Sequence, residues 1–205
     1  MSYHGLVQTF QKLLVSLDHE PAVLEIGVDR GVTLIPLAVA MASAFDSFSY
    51  VGVDVKVQEP VLLTVGNLGK TVCDGVSFYE ENSLVIIPQF VAQQKTFDLV
   101  LIDGDHNYFT VSQELSYVDK LLRPAGVVCI DDYGEGSQWS TSDMFYAERP
   151  GYADNARVTK PVKSEKEGVK AAVDDWLVKN KGWTLNVPIY GNPPAILYRD
   201  ADADK

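Results

Sequence analysis

Asp103, Asp105 and His106 follow the apolar run Leu99-Val-Leu-Ile102, and Asp131-Asp132 close a second apolar run, Val127-Val-Cys-Ile130. Carboxylates gathered at one place repel each other, so such a cluster persists only if a cation, protons or a bound ligand offsets its charge. In an open parallel sheet, neighbouring strands deliver their C-terminal ends to one crevice, and ligands bind there. Adjacent strands would therefore bring Asp103, Asp105, His106, Asp131 and Asp132 within reach of one another. The bland alternative for Asp131-Asp132 is a turn that caps a following helix. Two adjacent carboxylates at a buried strand end are costly for capping alone.

A second pattern lies upstream, in Glu25-Ile-Gly27-Val-Asp-Arg-Gly31. Glycines at a strand-to-helix turn let the backbone approach a ligand, and the helix start offers unpaired N–H groups. The dinucleotide fingerprint itself is absent, because Asp29 takes the middle glycine position and the third glycine is missing. A plain tight turn is the alternative. Asp54, at the end of the next apolar run, tips the balance toward a ligand, since a carboxylate there can accept from two ribose hydroxyls. Together the features predict an adenosine-containing ligand, either a nicotinamide dinucleotide or S-adenosylmethionine (SAM).

The elements that must position these residues alternate from residue 22 onward. Strands are expected at Ala22–Gly27, Phe48–Asp54, Val76–Glu80, Phe97–Asp103 and Val127–Asp132. Helices are expected at Val32–Ala44, Gln58–Lys70, Ser83–Gln94 (kinked or delayed by Pro88) and Thr110–Leu122. This alternation predicts an α/β, doubly wound, mostly parallel sheet covered on both faces. A leading helix occupies residues 3–18, with Leu6, Val7, Phe10, Leu13, Leu14 and Leu17 on one stripe. The polar stretch 133–161 has little periodicity and follows directly on the acidic pair, which marks it as a substrate lid. Lys166–Lys179 is amphipathic, and Trp183–Ile189 with Ala195–Tyr198 forms a closing hairpin.

Composition narrows the classes. A chain of 205 residues with 46% hydrophobic content suits one α/β domain over residues 1–205. Its net charge of −11 speaks against a nucleic-acid partner, which wants a basic face. No apolar run has the length of a membrane span, and the start lacks the pattern of a signal peptide, so a cytoplasmic protein is expected. Cys73 and Cys129 read as two inert thiols in a reducing compartment.

These motifs together resemble those of the small class I SAM-dependent methyltransferases, over roughly residues 20 to 200. Val23-Leu-Glu-Ile-Gly-Val-Asp-Arg-Gly31 resembles their first motif, and Val51-Gly-Val-Asp54 their second. Glu81-Asn82-Ser83 is similar to the adenine-side motif, although Asp is commoner at position 82. Leu101-Ile-Asp-Gly-Asp-His-Asn-Tyr108 resembles the fourth motif of a subgroup that includes macrocin-type sugar O-methyltransferases. Leu122-Arg-Pro-Ala-Gly-Val-Val128 resembles the turn before the fifth strand. The resemblance implies a Rossmann-like sheet of seven strands, mostly parallel, with an antiparallel C-terminal hairpin. It also implies cofactor contacts from Glu25, Gly27, Gly31, Asp54, Asn82, Ser83 and Asp103.

In the catechol-type and macrocin-type relatives, positions matching Asp103, Asp131 and Asp132 hold one divalent cation. An all-oxygen set suits Mg²⁺, or Mn²⁺ or Ca²⁺, over Zn²⁺. Such a cation lowers the pKa of an acceptor hydroxyl and orients it. The base beside it would be His106, where catechol-type enzymes place a lysine, or Asp105, a carboxylate as in macrocin-type enzymes. The expected activity is metal-dependent O-methyl transfer to a small polar hydroxyl compound, a sugar or a catechol-like diol, with Trp139, Phe145 and Tyr146 as acceptor contacts. A homodimer through the leading helix would fit its apolar stripe. The rivals are a metal-independent methyltransferase, a relative of the cephalosporin hydroxylase group, a non-catalytic SAM or nucleoside binder, and an NAD-binding protein.

Overall fold

The computed structural model describes residues 3–162, 164–188 and 192–200. After α1 (Tyr3–Val15) the chain runs β1 (Ala22–Ile26), α2 (Leu34–Ala44), β2 (Ser49–Asp54), α3 (Glu59–Asn67), α4 (Lys70–Gly75) and β3 (Val76–Glu80). It continues through α5 (Ser83–Ala92), β4 (Phe97–Ile102), α6 (Tyr108–Leu115), α7 (Val118–Leu121) and β5 (Leu122–Ile130), and ends with α8 (Gly168–Lys179), β6 (Trp183–Asn186) and β7 (Ala195–Arg199). The seven strands form one sheet in the order β3-β2-β1-β4-β5-β7-β6. The first five pair in parallel, while β7 runs antiparallel to both β5 and β6. This is the mostly parallel seven-stranded sheet with an antiparallel C-terminal hairpin that the resemblance implies. The part of the hairpin connection at residues 189–191 lies outside the described residues.

Period-two alternation splits the core into two layers. Leu24, Ile26, Val100, Ile102, Val128 and Ile130 face Ile87 and Phe90 of α5, Val111 and Leu115 of α6, and Val169 and Val173 of α8. Val23, Tyr50, Leu99, Leu101 and Cys129 face Leu6, Phe10 and Leu14 of α1 and Leu34, Leu37 and Met41 of α2. The stripe on α1 is thus consumed within the chain. Among the described residues, no helix is long and apolar enough to cross a membrane.

Three elements differ from their expected form. The helix expected over 58–70 ends at Asn67 and restarts at Lys70, because Gly69 adopts φ +98° between the two pieces. The helix expected over 110–122 is broken at Ser116 and Tyr117. Strand β5 begins five residues early: Leu122 pairs with Phe97, and Val127 with Leu99, so the Arg123–Gly126 turn is carried as a bulge.

Candidate functional site

Sheet order reverses between β1 and β4, and this switch point is where a doubly wound sheet opens a crevice. Gly27 N donates to Val53 O (2.8 Å), Asp103 N to Ile26 O (2.8 Å) and Asp131 N to Ile102 O (2.9 Å). These bonds carry the ladder one step past each strand. Since Ile102 is in register with Ile130, Asp103 and Asp131 emerge side by side on adjacent strands. The acidic tips therefore share one end of the sheet.

The glycine turn is shaped for close approach. Gly27 has φ +88°, and a Cβ there would lie 2.1 Å from the Asp103 carbonyl oxygen. Asp29 keeps the middle position of the turn at φ +40°, a conformation aspartate tolerates better than most residues. Asp54 ties the turn to β2, its Oδ2 accepting from Val28 N (2.9 Å) and Asp29 N (3.1 Å). Its Oδ1 accepts from Lys56 N (3.0 Å) and keeps a lone pair for a further donor.

Around this turn lies a cavity of about 300 Å³, bordered by Gly27, Asp54, Asn82, Ser83, Asp103 and Asp105 among others. That volume is in the range of small-ligand sites. Gly31 is not on its wall; it packs instead against Ile35 and Val61, joining α2 to α3. Glu25 points to the opposite face of the sheet and accepts from Tyr50 Oη (3.0 Å). Burial pushes the Glu25 carboxyl well above the usual range. It borders a second, smaller cavity with Asp103, Asp131 and Leu6, Val7 and Phe10 of α1.

His106 bridges the acidic tips. Its Nε2 is 3.2 Å from Asp103 Oδ1, and its Nδ1 is 3.0 Å from Asp132 Oδ2. Burial alone would lower its pKa, but the two carboxylates outweigh that and raise it to about 10. Carboxylate oxygens at both ring nitrogens favour the imidazolium, the form in which both nitrogens donate. Asp132 Oδ1 also accepts from Ser137 Oγ (2.7 Å) and Asn192 Nδ2 (2.5 Å). Although burial works against the charged form, these donors hold the Asp132 carboxyl at about 2. Asp131 has weaker help, from the Asp132 backbone N–H and the charge of His106. Burial, then the charges of Asp103 and Asp132, push its pKa to about 7.

The test for a divalent cation gives a divided answer. Asp103 and Asp131 fit: they are neighbours on one cavity wall, and burial beside two further carboxylates disfavours the Asp131 anion, a cost that a cation would offset. Asp132 is engaged by His106, Ser137 and Asn192. Among the described residues no three His, Cys, Asp or Glu side chains gather to hold an ion. Magnesium commonly takes only one or two protein carboxylates, with waters and substrate oxygens completing its shell.

Asp105 occupies the cavity wall itself. Its Oδ1 accepts from Tyr146 N (3.2 Å) and its Oδ2 from Thr110 Oγ1 (3.0 Å). Burial raises its pKa, which those two bonds partly offset. The 133–161 segment lies across the cavity, contributing Tyr146, Arg149, Tyr152, Val158 and Thr159 to its lining. Asn82 fastens the segment down through Nδ2, which donates to Arg157 O (2.7 Å) and Thr159 Oγ1 (3.1 Å). Asn155 Nδ2 does the same to Val55 O (3.2 Å). Asn82 Oδ1 meanwhile caps α5 by accepting from Leu84 N (2.8 Å). Of the aromatic residues singled out in the sequence, Tyr146 lines the cavity, Trp139 stacks edge-on to His106, and Phe145 is buried. Arg149 and Tyr152 escaped the sequence reading. The only signal for them was their place among aromatic residues in an otherwise polar loop.

Residues 24–133 match the family described as a methyltransferase domain. No curated protein matches the chain by sequence. Solved structures share the fold at low identity. One is a Staphylococcus aureus protein assigned by inference as a caffeoyl-CoA O-methyltransferase, at 17% identity and TM-score 0.59, over 97% of this chain and 85% of that one. CalS11, a TDP-rhamnose 3'-O-methyltransferase of calicheamicin biosynthesis, is 15% identical with TM-score 0.58, over 98% and 82%. MycE, from the mycinamycin pathway and solved with Mg, SAH and mycinamycin VI, is 14% identical with TM-score 0.56. The match covers 98% of this chain but only 50% of MycE.

Proposed function

Because this chain belongs to the methyltransferase-domain family and is a SAM-dependent methyltransferase, we propose that it methylates a hydroxyl oxygen of a small polar acceptor, a sugar or a catechol-like diol. One observation carries the reading. A single cavity joins the Gly27 turn and Asp54 to the carboxylates of Asp103 and Asp105. SAM, when bound, supplies an activated methyl group. The Gly27 turn offers backbone close enough to cradle it, the free lone pair of Asp54 takes a ribose hydroxyl, and Asn82 and Ser83 flank the adenine. Two structural neighbours, the TDP-rhamnose O-methyltransferase CalS11 and MycE, solved with Mg, support oxygen as the acceptor atom and a cation beside it.

Asp103 and Asp131 are the residues that would hold a divalent cation, which would acidify an acceptor hydroxyl. Asp105 is the proton acceptor. It faces the cavity, and burial raises its affinity for a proton. His106 serves differently, as a fixed positive charge that holds Asp103 and Asp132 in place. The lid residues Tyr146 and Tyr152 keep water from the transfer end.

The test is transfer of a radiolabelled methyl from SAM to a panel of catechols and sugars, with and without a chelator. Loss of turnover on chelation, restored by Mg²⁺, is expected; full activity after complete metal removal would reject the cation. Asp105→Asn should lower kcat at least 100-fold, within the range of a lost general base, while SAH binds as before.

A further inference from the structure

Five arginines occur in the chain, and four of them sit against carboxylates: Arg30 with Asp29, Arg123 with Asp98, Arg157 with Glu80 and Arg199 with Asp119. Arg149 is the exception. Among the described residues its guanidinium makes no ion pair and no hydrogen bond, in a chain that carries 28 acidic residues. It is held by aromatic rings instead, with its carbon 4.0 Å from the Trp139 ring centre and 4.6 Å from that of Tyr146. Stacking of this kind covers the flat faces of the cation and leaves its N–H edge free to donate.

The location of that edge is specific. Arg149 lines the 300 Å³ cavity. Its two aromatic supports reach toward the catalytic end: Trp139 packs edge-on against His106 at 5.8 Å, and Tyr146 N donates to Asp105. Asn82, by contrast, holds the lid at residues 157–159, on the adenine side of the cleft. The unpaired guanidinium therefore rests on the two rings that adjoin His106 and Asp105, at the transfer end of the cleft. An arginine kept from so many available carboxylates, and fixed in orientation before any ligand arrives, has the form of an anion receptor.

We propose that Arg149 binds an anionic group, a carboxylate or a phosphate, that enters the transfer end of the cleft on a ligand, and so selects anionic ligands over neutral ones. The inference rests on the reading of this cavity as the methyl-transfer site. The anion can come from two sources, the amino-acid carboxylate of the cofactor or a charged substituent on the acceptor. Acceptor selection of this kind runs against the chain's overall negative charge, which disfavours anionic ligands at long range but is screened within about 10 Å in ordinary salt. A local cation at contact distance outweighs it.

Calorimetric titration of the wild type, Arg149→Gln and Arg149→Lys separates the sources. The first ligand pair is S-adenosylhomocysteine and 5'-methylthioadenosine, which lacks the amino-acid group with its carboxylate and ammonium. The second, offered to the protein both alone and with S-adenosylhomocysteine present, is 3,4-dihydroxybenzoate against catechol, and glucose 6-phosphate against glucose. Arg149→Gln is expected to weaken the charged member of at least one pair by about tenfold or more, the worth of a charge-assisted hydrogen bond, and to leave the neutral member within twofold. Arg149→Lys should recover part of the loss, because it keeps the charge but not the planar fork. A selective loss with S-adenosylhomocysteine assigns the site to the cofactor, and one with the benzoate or the phosphate assigns it to the acceptor. Equal losses for charged and neutral members, or no change in any pair, overturn the proposal. A wild type that binds neither adenosine ligand would instead refute the cofactor assignment of the cavity, with the acceptor pairs still reporting on Arg149.

Discussion

Gly27→Ala probes the closest backbone approach in the site. The new Cβ would stand 2.1 Å from Asp103 O, 2.5 Å from Asp103 C and 2.8 Å from Gly104 Cα, all backbone atoms that no rotamer change can move. Ordinary contact needs more than 3 Å, so the tips of β1 and β4 must part by about 1 Å, at an overpacking cost of about 1–3 kcal/mol. Loss of the Asp103 N to Ile26 O bond (2.8 Å) adds about 1 kcal/mol. The positive φ of +88° adds about 1–2 kcal/mol for any L side chain. Gly151→Ala isolates that last part, since Gly151 has φ +89° and nothing within 4 Å of its would-be Cβ. At about 2–4 °C per kcal/mol for a chain of this size, Gly151→Ala should lower Tm by about 4 °C and Gly27→Ala by about 10 °C or more. Scanning calorimetry reads the first difference, and titration with S-adenosylhomocysteine should show at least a tenfold loss for Gly27→Ala only. Equal Tm values for the two variants, with cofactor affinity intact in both, would refute the reasoning from close approach.

His106→Asn removes the charge between Asp103 and Asp132, and breaking a buried pair of this kind costs about 3–5 kcal/mol at neutral pH, measurable by urea unfolding. The folded pKa of His106 is raised to about 10, so its stabilisation is complete below the unfolded value near 6.5 and is lost as pH rises toward 10. Between pH 7 and 9 the wild type should therefore lose about 2–3 kcal/mol more than His106→Asn; parallel pH profiles would show that the ring is not an imidazolium. Asn82→Ala deletes both the cap on α5 and the anchor of the lid. It should cost about 1 kcal/mol of stability and speed proteolysis within 133–161, and an unchanged cleavage rate would mean the lid is held elsewhere.

The division of labour between chain and fold follows from the range of the interactions. Strand–helix alternation, the glycine turn and the acidic strand ends depend on neighbours a few residues away, so the apolar runs ending at Ile102 and Ile130 were enough to place carboxylates at one edge of a parallel sheet. The break at Gly69 carried a signal, the glycine itself, whereas the one at Ser116–Tyr117 was not legible, because helical periodicity continues through it while the backbone does not. Partnerships across tens of residues were hidden altogether. Asn192 reaches Asp132 over 60 positions, Tyr146 reaches Asp105 over 41, and the rings around Arg149 come from a loop without period. Composition and pattern alone determined the sheet and the sign of charge at its crevice. Only the tertiary structure decided that His106 lies between Asp103 and Asp132, that Ser137 and Asn192 donate to Asp132, and that Arg149, among the described residues, rests on aromatic rings rather than on a carboxylate, because such partnerships are properties of what packs around a group.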